Sequence, residues 1–159
     1  MSNTTGSETH SVGVSTQPAA EPARYWISRV LRANALLYIG FFGAAFVVVA
    51  AEIPLGHQLE AMTQWGEHGR AYELMITSIY TVWGAYLWAA ARSPREHRLF
   101  LSFTVTANLV HFTVMLLGGI LMEGEHLHLV GDVLVGWLSV SSLAVAVLAL
   151  RTGMKGYDQ

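Results

Sequence analysis

Four apolar stretches, at residues 33–51, 71–91, 99–122 and 129–150, constrain this chain more than any other feature. Each comes close to the roughly 20 residues that a helix needs to cross about 30 Å of hydrocarbon. Helices of a soluble bundle keep a polar face, whereas these segments are apolar nearly all round, with narrow stripes of small and polar residues. The fold class expected is therefore all-α: a membrane protein built as a four-transmembrane-helix bundle over residues 25–151. Composition agrees, with 53% hydrophobic and only 13% charged residues, a profile far from that of a soluble domain of equal length.

Orientation follows from the basic residues. Arg24, Arg29, Arg32, Arg92, Arg95, Arg98, Arg151 and Lys155 fall on one side of the four spans, and Arg70 alone falls on the other. Cytoplasmic loops carry the excess of lysine and arginine, so both termini and the Arg92 to Arg98 turn are expected inside. The loops at residues 52–70 and 123–128 then face outward. Residues 1–24 are small and polar without hydrophobic periodicity and read as a disordered cytoplasmic tail; residues 152–159 form a second, short tail. The first apolar run is long enough to span, so it reads as an uncleaved helix rather than a secretory signal. Tyr25 and Trp26 beside Arg29 and Arg32 fit the headgroup region, and Leu59, Met62 and Trp65 predict a short interfacial helix in the longer outer loop.

Several functions are excluded at this level. A net charge of −2 and the lack of a basic patch with interleaved aromatics argue against nucleic acid as a partner. The chain has no cysteine, which removes thiol catalysis, disulfide exchange and Cys-based metal ligation. No phosphate-binding glycine loop, HExxH or GxSxG motif can be read, and Gly40, Gly43, Gly118 and Gly119 lie inside spans, where close helix packing explains them. The balance leans away from an enzyme.

Three ionisable residues stand out inside the spans. A rise of about 1.5 Å per residue puts His111 near the bilayer midplane and Glu73 and Asp132 about 10–12 Å toward the outer surface. Such groups are expensive in lipid and usually face the bundle interior or a wet cavity. Thr104, Asn108, His111 and Met115 form one stripe on the third helix. Glu73, Thr77, Tyr80 or Thr81, Gly84 and Trp88 form another on the second, and Asp132, Gly136, Ser139, Ser142 and Ala146 a third on the fourth. Helix packing accounts for most of these positions. Glu73, Asn108, His111 and Asp132 are the candidates for a ligand site or proton relay, and Arg70 is placed to neutralise Glu73. For His111 the alternatives are a structural hydrogen bond, a metal or haem ligand, a quinone contact or a proton relay. A bis-histidine haem would need His128 as partner, at the very edge of its span.

The outer loops hold a second set: Glu123, Glu125, His126 and His128 in one, with Glu52, His57, Glu60, Glu67 and His68 in the other. Imidazole and carboxylate suit zinc, copper, nickel or iron, so His126, His128, Glu123 and Glu125 are candidate metal ligands. A solvated acidic loop is the alternative, because excluding lysine and arginine from outer loops leaves these side chains as the polar choices.

The stretch YELMITSIYTVWGAYLWAAARSPREHRLFLSFTVTANLVHFTVMLL, from Tyr72 to Leu117, together with HLVGDV at His128 to Val133, resembles an uncharacterised family of small bacterial four-helix membrane proteins. Glu73, Arg92, Pro94, His97, His111, Gly131 and Asp132 fall within the resemblance. It implies four spans in a bacterial inner membrane and no particular chemistry; cofactors stay unknown. The leading expectation is a non-catalytic accessory or ligand-binding component with a buried Glu/Asn/His/Asp cluster. Its partners would be the lipid bilayer and either a second copy or another membrane protein. The alternatives are a redox or metal-handling protein with a metal or quinone at His111, and a proton-coupled carrier or channel.

Overall fold

The computed structural model describes residues 20–56 and 69–155, and among these the regular structure is entirely helical. The first rod begins as α1 (Ala20–Leu37), passes through a π-helical segment (Tyr38–Phe42) and continues as α2 (Gly43–Ala50). It is followed by α3 (Gly69–Ala90), α4 (Arg98–Leu121), a 3₁₀ turn (His126–Leu129) and α5 (Asp132–Lys155). The boundaries differ from the sequence reading at both ends. Helix α1 starts at Ala20, inside the stretch read as tail; Pro22 is tolerated there because the first turn leaves its amide positions unpaired in any case. Helix α5 continues to Lys155, past the expected boundary at 150. The rest of the expected tail, at 1–19, and the interfacial helix expected at Leu59, Met62 and Trp65 lie outside the described residues.

The first rod packs against α3 and α5, and α4 packs against α5. Helices α3 and α4 follow one another in the chain, yet their backbones stay further apart than those of the other neighbours. Gly84 explains the tight first-rod contact. A Cβ there would come within 2.9 Å of the Tyr38 Cβ and 3.0 Å of the Ala35 carbonyl, so only a bare backbone fits. Gly136 serves α5 in the same way, since the Phe112 ring occupies the space a Cβ would take.

Along its length the bundle has three layers. At the end carrying Arg29, Arg32, Arg92 and Arg151 the core is purely apolar, built from Leu31, Ala35, Leu87, Leu101, Leu143 and Ala146 with their neighbours. Arg32 lies over the Trp88 ring at 5.8 Å and Arg151 donates to the Ser102 hydroxyl, which ties this end together. The middle layer is polar and largely buried. The far end, with Glu52, Glu125 and Asp132, opens into a cleft. The polarity of the whole is inverted relative to a soluble bundle: Asn34, Thr77, Thr104, Asn108 and Ser139 are buried while Leu36, Val47, Val110, Val114, Leu138 and Leu148 face outward.

Candidate functional site

The middle layer explains how the cleft is held. Asn34 donates from its amide to Ser142 Oγ at 2.9 Å, Ser139 donates to Asn34 Oδ1 at 2.7 Å, and the Tyr38 and Tyr80 hydroxyls both donate to Asn108 Oδ1, at 3.1 and 3.0 Å. The Asn108 amide in turn donates to the Thr104 carbonyl at 2.8 Å, and the Trp83 indole N–H to Thr104 Oγ1 at 2.9 Å. Every rod contributes to this network. Satisfied polar layers of this kind fix the relative register of helices, because each alternative register leaves a buried group unpaired.

The wide seam between α3 and α4 is filled by rings from its basic end upward. Tyr86 meets Phe100 at 6.4 Å between centroids, Trp83 stacks on Phe103 at 5.6 Å, and Tyr80 meets His111 at 5.5 Å. Above that level the facing side chains are Ile76 and Glu73 on α3 and Met115 and Gly118 on α4, which are too small or too flexible to close the gap. The result is a cleft of about 290 Å³. Phe41 and Phe42 of the π segment and Ala45 of α2 form its back wall, and Tyr72, Val114 and Met122 sit at its exposed rim. π-helical turns inside α-helices occur often at functional sites, where the extra residue re-aims a side chain. Here the turn sends Tyr38 into the polar layer and Phe41 and Phe42 into the cleft. A separate void of about 20 Å³, the size of a single water, lies behind Phe42 and Phe112 between Tyr38, Ser139 and Asp132.

Three of the four residues singled out in the sequence share this cleft: Glu73, His111 and Asp132 all line it. The Glu73 carboxylate folds back over Gly69, where a Cβ would lie 2.6 Å from Oε1. His111 is half-buried, flanked by the rings of Tyr80 and Phe112, and within electrostatic reach of Asp132. Asp132 opens α5, accepting the Val133 N–H on Oδ1 at 2.9 Å, where a carboxylate also suits the positive end of the helix dipole. Asn108 stands apart from these three, completely buried in the polar layer. Arg70 does not turn to Glu73; it pairs with Glu52 and reaches the Ala50 carbonyl at 3.3 Å, joining the end of α2 to the start of α3.

The outer-loop histidines are separated. His126 Nδ1 lies 2.7 Å from the Gly119 carbonyl, to which it donates, whereas His128 is buried with Nε2 3.1 Å from Glu125 and Nδ1 3.1 Å from Asp132. Among the described residues no group of three or more histidine and acidic side chains is arranged to hold a metal; His57, Glu60, Glu67 and His68 lie outside them. The Glu125, His128 and Asp132 arrangement went unread in the sequence, although its spacing of three and then four residues is the signal of side chains on one helical face. A neutral imidazole donates from one nitrogen only, so bonding both carboxylates takes one further proton on the ring or on a carboxyl group.

Three helical stretches, Tyr25–Ala50, Arg98–Leu121 and His126–Thr152, are long and apolar enough to cross a membrane. With an apolar exterior, a polar interior layer and a lined cleft, they define the class: an all-α protein of membrane-spanning dimensions. The chain belongs to a family of unknown function (DUF6632), whose profile matches residues 29–158. That match takes in all four rods, where the sequence resemblance rested on the middle of the chain. No curated protein and no solved structure matches it.

Proposed function

We propose that the protein is a four-span protein of the bacterial cytoplasmic membrane, with both termini inside, and that it acts as a non-catalytic component binding a small molecule in the cleft between α3 and α4. The observation that carries this reading is the convergence of Glu73, His111 and Asp132 on one cleft whose walls are otherwise mostly apolar. Ionisable groups at membrane depth persist where a partner or a cavity compensates them. Among the described residues, neither His111 nor the Glu73 carboxylate has a hydrogen-bond partner, while the polar layer beneath them is fully engaged.

The second crossing, α3, supports four spans despite its lower hydropathy. Its polar side chains Thr77 and Tyr80 turn inward, while Met75, Ile79, Val82 and Tyr86 form its exposed face. A helix can cross lipid when the surface it shows to lipid is apolar, whatever it holds inside.

The test is mass spectrometry of small molecules extracted from protein purified in mild detergent, beside Met115→Trp, which fills the cleft, and His111→Leu. A compound carried by the wild type and lost from both variants is expected. Identical extracts from the three proteins, all equally folded, would overturn the reading.

A further inference from the structure

We infer that the occupant of the cleft is a lipophilic cation: an amine or quaternary ammonium group on an aromatic or alkyl body. The inference rests on the cleft being a ligand site and adds the chemistry of what it takes.

The hydrogen-bonding inventory of the walls is one-sided. Two carboxylates line it: Glu73, an acceptor when ionised, and Asp132, whose Oδ1 is already engaged by the Val133 N–H and the His128 ring; among the described residues no lysine or arginine lines the cleft. The basic residue nearest in sequence, Arg70, is held by Glu52 and the Ala50 carbonyl. Thr77 directs its hydroxyl proton to the Glu73 backbone carbonyl at 2.6 Å. Among the described residues, donors come only from His111, which as a neutral imidazole has one, and from the Tyr72 hydroxyl at the rim. A quinone carbonyl, a carboxylate or a phosphate would find few donors and a repulsive field. An ammonium group would meet the Glu73 carboxylate, with Asp132, already engaged by His128, as a second acceptor in the wall, and its body would meet the rings of Phe41, Phe42 and Tyr72.

Aromatic faces add attraction for a cation, and more so away from water. The compensation is mutual: a carboxylate and an ammonium that are each costly against hydrocarbon are far less so together. Size agrees as well. The cleft of about 290 Å³ is nearly twice the roughly 150 Å³ cavity that accepts benzene, so a ring bearing a trimethylammonium group fits.

The experiment is titration calorimetry on the full-length protein in neutral detergent with three probes. They are benzyltrimethylammonium, its uncharged carbon isostere neopentylbenzene, and decylubiquinone, each also titrated into Glu73→Gln and Asp132→Asn. The expected result is binding of the cation at least tenfold tighter than of the isostere, weakened at least tenfold in Glu73→Gln. Asp132 also starts α5, so thermal melts accompany each variant, and Glu73→Gln alone carries the test if Asp132→Asn unfolds. Equal binding of cation and isostere, or preference for decylubiquinone, would overturn the cation and leave the ligand site standing. No binding of any probe, with identical small-molecule extracts from wild type and Met115→Trp, would overturn both.

Discussion

Asn108 and His111 are three residues apart on α4 and meet different fates, and helix geometry gives the reason. Three residues advance a helix by about 4.5 Å and leave the second side chain about 60° away from the first. That offset keeps Asn108 on the bundle axis and turns His111 into the α3–α4 seam, while Phe112, nearer to the azimuth of Asn108, takes the buried position against Gly136. Replacing Asn108 with leucine removes the acceptor shared by Tyr38 and Tyr80, and is expected to cost about 1–2 kcal/mol, read as a lowered melting temperature in detergent. Gly84→Ala is expected to cost about 1–3 kcal/mol by overpacking, because one of the atoms it meets is the Ala35 backbone carbonyl. Gly40→Ala, which meets nothing within 4 Å, should be neutral or stabilising in the same melt. In the structure Glu73, His111 and Asp132 all line one cleft; sequence spacing put them on inward faces and left open whether they meet. It grouped Asn108 with them because a stripe read by spacing does not distinguish the axis from a seam at its side.

At the scale of elements, the π segment and the 3₁₀ turn are the two helical departures from α geometry among the described residues, and neither was legible. A π turn needs one residue more than the α repeat, and nothing in YIGFF announces it beyond a glycine in an apolar run. Deleting Gly40 is expected to return the first rod to α geometry with its flanking faces nearly unchanged. Such a variant should melt close to wild type, yet lose whatever the cleft binds, since Phe41 and Phe42 would be re-aimed. The 3₁₀ turn, in contrast, places His128 where Glu125 and Asp132 can both reach it. His128→Phe keeps the ring and leaves two poorly exposed carboxylates facing an apolar group. The expected loss is about 2 kcal/mol or more, measured by thermal unfolding, with Glu125→Gln in the same background recovering part of it.

For the molecule as a whole, the number of helical rods was readable from hydropathy because the span length is set by the bilayer and not by packing details. The α3–α4 gap was not readable, because it depends on which of two aromatic-rich faces interdigitate along the seam. The absence of cysteine makes the topology directly testable with single cysteines. In a four-span protein, a cysteine at Ser93 should react with an impermeant maleimide only from the cytoplasmic side, and one at Glu123 only from outside. A three-span arrangement that leaves α3 out of the membrane would exchange those two results and put the carboxyl terminus outside.

Under the proposed placement in a bilayer, a cleft between α3 and α4 with Tyr72, Val114 and Met122 at its exposed rim changes what concentration means for its ligand. A compound arriving through the bilayer is sampled at its mole fraction in lipid, not at its concentration in buffer. Two compounds with the same intrinsic fit but a tenfold difference in partitioning would differ tenfold in apparent potency, equivalent to about 1.4 kcal/mol, with no difference in any contact they make. Diluting the protein into more lipid at constant total ligand would weaken apparent binding for the same reason, so the lipid-to-protein ratio becomes part of every affinity measured.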